Sequence, residues 1–154
     1  NESNIKETNL TLEKIKELKQ GFIYNPSHYK DNIKTLNDLN NYPLILQKEE
    51  SNSRKLLDYI TMQKGVKLIP SMEVVSQDLI TEFTDIGLGI GFAIIDLAKT
   101  NHPTLEELYI NKYIPNISVY LASNTNISLK FDFLFSSNFL AYPGPTLQKD
   151  VSGL

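Results

Sequence analysis

Residues 43–65 read PLILQKEESNSRKLLDYITMQKG and join an apolar run to an amphipathic one. The apolar run shows no alternation, which predicts a strand over Pro43–Gln47 that is buried on both faces. Ser51 stands where a helix N-cap is needed, and Gly65 is a suitable terminator for a helix ending near Lys64. The segment therefore predicts a strand, a short loop and a capped helix. The residues predicted to share one face of this helix are Leu56, Leu57, Ile60 and Gln63.

The same unit occurs again immediately afterwards. Ser71–Val75 is strand-like, Ser76 is a second possible N-cap, and Gly87 ends a second helical segment. The apolar positions of that segment are Leu79, Ile80, Phe83 and Ile86. Ile90–Ile95 predicts a third buried strand, and Asp96–Lys99 a short helix. Strands that alternate with single helices predict an α/β sandwich.

The flanking segments are less regular. Apolar residues between Leu10 and Leu18 fit a strand with a bulge as well as a short helix, and we favour the strand. Gly21–Asn25 predicts a short strand closed by a proline turn, and Thr35–Leu39 a helical turn. Further along, we expect an irregular strand over Leu108–Ile114.

Two segments near the end of the chain complete the secondary-structure prediction. Asn116–Ala122 predicts a strand. Ser128–Ser137 fits a helix, but Phe131, Phe133 and Phe135 alternate as in a strand, so both alternatives stay open.

Composition excludes several classes of protein. The 154 residues carry 15 Lys+Arg, 18 Asp+Glu, a net charge of -3 and no basic block, so direct nucleic-acid binding is not expected. The absence of Cys removes disulfides, thiolate zinc sites and Cys nucleophiles, and two distant histidines, His28 and His102, do not suggest a metal site. We expect no cofactor. The longest apolar stretch, Ile86–Leu97, is too short to cross a bilayer, and the polar start shows no secretory signal, so a soluble cytoplasmic protein is expected.

Four motifs in a fixed order carry a family resemblance. They are residues 35–46 (TLNDLNNYPLIL), 51–58 (SNSRKLLD), 75–80 (VSQDLI) and 87–94 (GLGIGFAI), and residues 117–121 (ISVYL) follow as a returning strand. Together they resemble the effector-binding domain of LysR-type transcriptional regulators, over roughly Gly21–Leu134. The second motif is similar to the family's "SNTR"-type helix start. The fourth is similar to its glycine-marked strand.

The resemblance implies a fold and a domain organisation. The expected fold is a Rossmann-like three-layer α/β sandwich, a periplasmic binding protein type 2-like regulatory subdomain with a partial second lobe. Residues 1–34 would belong to a partial first regulatory subdomain, residues 35–115 to the second, and residues 116–154 to the return and a C-terminal tail. The family also begins with a helix-turn-helix, which this sequence lacks, and its members self-associate as dimers or tetramers.

The resemblance further implies a ligand site at strand C-termini and helix N-termini. Backbone N–H groups and the helix dipole favour an anion there. Ser51, Asn52 and Ser53 occupy this position on the first helix, although Ser51 can also serve only as a cap. Arg54 can pair bidentately with an anion, or instead face solvent or a carboxylate. Ser76 and Gln77 begin the second helix, where a plain cap is the alternative, and Ile94 ends the third strand.

These residues predict a non-catalytic function. The glycines at Gly87, Gly89 and Gly91 follow a helix and enter a strand, so they do not form a nucleotide loop; we interpret the first as a helix C-cap and the others as close-packing positions. No nucleophile, base and orienting group occur together. The leading hypothesis is an effector-binding domain that senses a small, anionic metabolite and controls transcription through a separate DNA-binding domain. The alternative is a stand-alone solute-binding protein of the same fold that serves a transporter.

Overall fold

The computed structural model describes residues 10–124 and 129–135. The chain divides into two compact units, one formed by residues 18–115 and the other by residues 1–17 together with 116–154. The domain boundaries predicted from the sequence lie after residues 34 and 115, and they stay predictions. The assignment of these units to regulatory subdomains stays a prediction.

The described residues form eight strands, three α-helices and two 3₁₀ helices. The strands are β1 (Leu10–Leu18), β2 (Gln20–Tyr24), β3 (Leu44–Gln47), β4 (Met72–Val74), β5 (Ile90–Ile94), β6 (Glu106–Glu107), β7 (Ile117–Asn124) and β8 (Leu129–Phe135). The α-helices are α1 (Asn52–Gln63), α2 (Gln77–Asp85) and α3 (Ile95–Asn101), and the 3₁₀ helices are Leu36–Asn41 and Tyr109–Tyr113.

The larger unit is built on a mixed five-stranded sheet with the order β4-β3-β5-β2-β6. The strand β3 pairs in parallel with β4 and β5, and β2 pairs antiparallel with β5 and β6. Helices connect the parallel strands, because a parallel pair cannot be closed by a tight turn. The sequence predicted these three strands, their order along the chain and both capped helices correctly.

Glycines allow two close approaches at β5, one by α2 and one by the residue that precedes β3. A Cβ atom on Gly91 would lie 2.6 Å from Ile80 Cγ2 and closer still to the Thr84 hydroxyl, and one on Gly89 would lie 2.5 Å from the Pro43 carbonyl oxygen. Gly87 has a φ of 85° after the helix, which is the left-handed conformation that glycine adopts readily. The predicted close-packing roles are therefore confirmed, and Gly87 ends α2 at the position directly after the C-cap residue Ile86.

The buried faces of α1 and α2 differ in detail from the predicted sets of apolar residues. Gln63 is exposed, and the buried face of α1 includes Arg54 and Thr61 instead. Leu79 in α2 is 38% exposed, and Ile86, the C-cap residue that follows this helix, is 59% exposed. The buried positions there include two threonines, Thr81 and Thr84, whose hydroxyls donate to the carbonyl oxygens four residues earlier at 3.0 and 2.7 Å. A bond of this kind satisfies a buried hydroxyl, so a polar residue can occupy an apolar face.

The predicted irregular strand over Leu108–Ile114 is wrong, because this segment contains the 3₁₀ helix Tyr109–Tyr113. The Asn111 side chain explains the difference. Its Oδ1 accepts from the Phe22 N–H at 2.6 Å, and its Nδ2 donates to the Phe22 carbonyl at 2.8 Å. One side-chain amide thus makes the two bonds to β2 that a paired strand residue would make.

The smaller unit contains a three-stranded sheet with the order β1-β7-β8. The strands β7 and β8 are antiparallel, with Ile117 opposite Phe135 and Ser123 opposite Leu129. The strand alternatives for Leu10–Leu18 and for the alternating phenylalanines are the ones observed. The predicted strand over Asn116–Ala122 is also confirmed, while residues 125–128 and 136–154 lie outside the described residues.

Candidate functional site

The carboxyl ends of three neighbouring strands lie at one edge of the larger sheet. Gln47 ends β3, Val74 ends β4 and Ile94 ends β5, and the parallel register places these ends side by side. Gln20, the first residue of the antiparallel β2, lies directly opposite Ile94. We call this set of strand ends the carboxyl edge. Each of the three α-helices follows one of these strands in the chain, after four residues for α1, two for α2 and none for α3.

Serine caps begin the first two helices. Ser51 has an extended backbone, its hydroxyl accepts from the Arg54 N–H at 3.1 Å, and its carbonyl accepts from the Lys55 N–H at 3.0 Å. The Ser76 hydroxyl accepts from the Leu79 N–H at 3.3 Å. Both predicted N-caps are confirmed. Each cap bond satisfies one backbone N–H group of the first turn, and other N–H groups of that turn have no partner within the helix. Such N–H groups are the usual basis of anion binding at a helix start.

The first turns of the helices differ in charge. The first turn of α1 contains no acidic residue and presents Asn52 and Ser53, which are half-buried. The first turn of α2 contains Asp78, and that of α3 contains Asp96. A carboxylate at a helix start already occupies the positive end of the dipole and repels a second anion. The α1 start is therefore the most favourable of the three for an anionic group.

Gln77 joins two strand ends to the start of α2. Its side-chain nitrogen donates to Gln47 Oε1 at 3.2 Å, and its side-chain oxygen accepts from the Ile94 backbone N–H at 3.2 Å. The structure thus brings together two residues that the sequence predicted as ligand contacts, Gln77 and Ile94. It also adds Gln47, which the sequence reasoning did not select. A polar residue ending the apolar run Leu44–Leu46 was the signal that could have identified it.

Arg54 is buried, with only 5% of its surface exposed, and the chain supplies its partners. Its Nε donates to both carboxylate oxygens of Asp58 at 3.0 and 3.1 Å. Its Nη1 donates to the Gln47 carbonyl at 3.0 Å and to Glu73 at 3.1 Å, and Glu49 lies 4.0 Å from Nη2. The guanidinium therefore pairs with carboxylates of the chain itself, which is one of the alternatives considered for Arg54. Its bonds connect α1 to β3 and β4.

Gln20 is a second polar residue at the carboxyl edge that the sequence reasoning missed. It is 1% exposed, and its Nε2 donates to the Pro115 carbonyl at 3.2 Å. Within the described part of the chain its Oε1 has no hydrogen-bond partner. Next to it, the Lys19 N–H donates to Asp96 at 3.2 Å, and the Ile95 N–H donates to the Lys19 carbonyl at 2.8 Å. These bonds fix the start of β2 against the start of α3.

Within residues 10–124 and 129–135, none of the helices combines the length and the apolar character needed to cross a membrane. In the same residues no group of three or more His, Asp or Glu side chains is arranged to hold a metal ion.

Comparisons with solved structures give clear similarities. The regulatory domain of CcmR from Synechocystis PCC6803, solved with 2-PG, has a TM-score of 0.64 and 17% identity, covering 79% of this chain and 61% of that chain. The effector-binding domain of QuiR, solved with shikimate, has a TM-score of 0.58 and 18% identity, covering 80% of this chain and 59% of that one. VV2_1132, a LysR family transcriptional regulator, has a TM-score of 0.58 and 14% identity, covering 77% and 39%.

These neighbours share one architecture, that of LysR-type regulatory domains. The chain has the fold of LysR-type effector-binding domains. This is the periplasmic binding protein type 2-like α/β fold that the sequence predicted. The chain spans less than two thirds of the length of each of these LysR-type structures. No protein-family model and no curated protein sequence matches it.

Proposed function

We propose that this chain is the effector-binding domain of a LysR-type transcriptional regulator. It binds a small, anionic metabolite, performs no chemistry on it, and controls transcription through a DNA-binding domain elsewhere in the full-length protein. Self-association as a dimer or tetramer and a cytoplasmic location belong to the same proposal. The fold supports it, and so do the two neighbouring domains of CcmR and QuiR, which were solved with 2-PG and with shikimate.

The observation that carries the proposal is the arrangement of the carboxyl edge. Open α/β sheets bind ligands beyond the carboxyl ends of their strands. Here that edge holds the start of α1, with Ser51, Asn52 and Ser53 and no acidic residue in the first turn. A carboxylate would accept hydrogen bonds from the first-turn N–H groups and from the serine hydroxyls. Its charge would be favoured by the helix dipole.

The other predicted contacts are assigned either to ligand binding or to positioning. We assign ligand binding to Ser76 and Gln77 at the start of α2 and to Ile94, whose N–H donates to the Gln77 side chain at 3.2 Å. The Gln77 side chain also donates to the Gln47 side chain at 3.2 Å. Arg54 acts through its contacts with Gln47, Asp58 and Glu73, so we assign it a positioning role. A site built from groups that are held before the ligand arrives pays less ordering entropy on binding.

The regulatory mechanism would be thermodynamic linkage. An effector that binds one conformation of the regulator more tightly shifts the population toward that conformation. The shift cannot exceed the difference between its two affinities. The same coupling would change the affinity of the full-length protein for its promoter.

The test begins with a thermal-shift screen of the chain against small carboxylates, because a ligand selective for the folded state raises the melting temperature. Calorimetry then compares the wild type with Ser51→Ala/Ser53→Ala. Losing two hydroxyl contacts worth about 1 kcal/mol each should weaken the affinity roughly tenfold or more.

Ser71→Ala is the matched control, since this exposed serine precedes β4 and thus lies at the opposite end of that strand. We expect it to bind the ligand as the wild type does. Equal affinity of the double variant and the wild type would show that the α1 start is not the ligand site.

A further inference from the structure

A second concave surface lies in the larger unit and contains no residue of the carboxyl edge. It is lined by Lys34–Asn37, Lys64, Val66 and Tyr113, and it encloses about 310 Å³. The first of these segments leads into the first 3₁₀ helix, Lys64 is the C-cap of α1, and Tyr113 ends the second 3₁₀ helix. We call it the basic groove. Its volume is at the lower end of the range for small-molecule sites.

Three exposed lysines lie either in the lining of the groove or beside its aromatic ring, Tyr113. Lys64 Nζ lies 5.3 Å from the centroid of the Tyr113 ring, and Lys112 Nζ lies 5.0 Å from the same centroid. Lys34 belongs to the lining itself. None of the three ammonium groups forms an ion pair with a carboxylate in the described ranges. Two cations are therefore held beside one ring without an acidic partner.

The two acidic residues nearest to Lys34 in sequence accept hydrogen bonds from backbone N–H groups. Asp38 accepts from the backbone N–H groups of Lys34 at 3.0 Å and Thr35 at 2.8 Å. Asp31 accepts from the backbone N–H groups of Ile33 at 3.3 Å and Tyr109 at 2.8 Å. The lining itself contains two lysines, Lys34 and Lys64, and no acidic residue, in a chain whose overall charge is -3.

Hydrogen bonds shift the pKa values of three groups near the groove. The Lys112 ammonium donates to the Tyr109 hydroxyl at 2.8 Å, and this bond lowers the pKa of Tyr109, with a smaller contribution from the charges of Lys112 and Lys34. The same bond raises the pKa of Lys112. Hydrogen bonds from Thr35 and Lys34 backbone groups lower the pKa of Asp38. Each shift favours the charged form of a group around the groove.

We propose that the basic groove binds the phosphate group of a small molecule, at a site separate from the effector site. Lysine ammonium groups recognise phosphate as point charges, and a doubly charged phosphate can engage more than one of them. The Thr35 hydroxyl and the Asn37 amide supply neutral hydrogen-bonding groups to the same lining. Free phosphate and a phosphate monoester share this chemistry, and the experiment distinguishes them.

The experiment is a ¹H–¹⁵N NMR titration of the chain at constant ionic strength, with inorganic phosphate and, separately, glycerol 3-phosphate. We expect saturable shifts of the amides of residues 34–37, 64–66 and 112–113, with a dissociation constant in the millimolar range. If the monoester binds several-fold more tightly, the organic part also contacts the groove. Equal affinities would show that the groove recognises phosphate alone.

The variant Lys34→Ala/Lys64→Ala removes two of the ammonium groups. It should weaken binding about tenfold, since exposed charge pairs contribute up to about 1 kcal/mol each. The control, Lys55→Ala/Lys99→Ala, removes the same charge from two exposed lysines outside the groove and should bind as the wild type does. Saturable shifts confined to other residues, no saturable shift, or equal weakening by both double variants would overturn the proposal. None of these outcomes bears on the carboxylate test of the α1 start.

Discussion

Replacing Arg54 by Met tests whether its guanidinium organises the carboxyl edge. Methionine keeps most of the aliphatic stem, so the variant removes the charged fork with little loss of packing. The wild-type side chain donates to Asp58 through Nε, and to the Gln47 carbonyl and Glu73 through Nη1, at distances of 3.0 to 3.1 Å. All of these bonds are lost together in the variant.

The expected loss of the free energy of unfolding depends on how exposed the partners of Arg54 are. Asp58 and Glu73 have side chains that are 46% and 41% exposed, so solvent takes over part of each lost ion pair, and we assign about 0.5 to 1 kcal/mol to each. The Gln47 carbonyl loses a charged donor, which adds about 1 to 2 kcal/mol. Removing a buried charge recovers some desolvation energy. The expected loss is about 2 kcal/mol of the free energy of unfolding.

Urea denaturation measures this loss directly. The Arg54→Lys variant keeps the charge but cannot reproduce the planar fork, so we expect it to lose about half as much as the Met variant. The control is Lys55→Met, at an exposed neighbour on the same helix, and it should change stability by less than about 0.5 kcal/mol. An Arg54→Met variant as stable as this control would refute the positioning role.

Three other predictions test separate parts of the structure. Ser51→Ala should cost about 1 kcal/mol of stability in urea denaturation because the α1 cap is lost, whereas Ser53→Ala, without a cap bond, should cost clearly less. Gly91→Ala should cost about 1 to 3 kcal/mol through its clash with Ile80, and a stable variant would contradict the close approach of α2 to β5. Burial, and then the hydrogen bond to Glu106, raise the pKa of Tyr24, so the folded state holds this proton more tightly than the unfolded state. The resulting stability is present below about pH 10 and is lost as pH rises through the folded-state pKa; Tyr24→Phe should therefore lose less stability than the wild type between about pH 8 and pH 11 in urea denaturation, and an equal loss would contradict this linkage.

The parts of the fold that the sequence predicted correctly are determined locally. A serine cap, a terminating glycine and an unbroken apolar run act within a few residues, so β3, α1 and their repetition in β4 and α2 could be inferred. The 3₁₀ helix Tyr109–Tyr113 could not be inferred. It depends on Asn111 bonding to Phe22, which is 89 residues away in sequence.

The candidate site shows the same division. The caps at Ser51 and Ser76 followed from local pattern. The side chain of Arg54 in α1 bonds to Glu73 in β4. The side chain of Gln77 bonds to Gln47 in β3 and to the Ile94 backbone in β5. Such contacts arise from the register of neighbouring strands, which a single sequence does not reveal.

The central claim is that a small anionic effector binds at the carboxyl edge. The most direct measurement is a ¹H–¹⁵N NMR titration of the chain with the carboxylate that gives the largest thermal shift. The account predicts saturable changes concentrated at residues 51–54, 76–77 and 94–95, which Ser51→Ala/Ser53→Ala weakens roughly tenfold. Saturable changes elsewhere in the chain, with those residues unaffected, would contradict it.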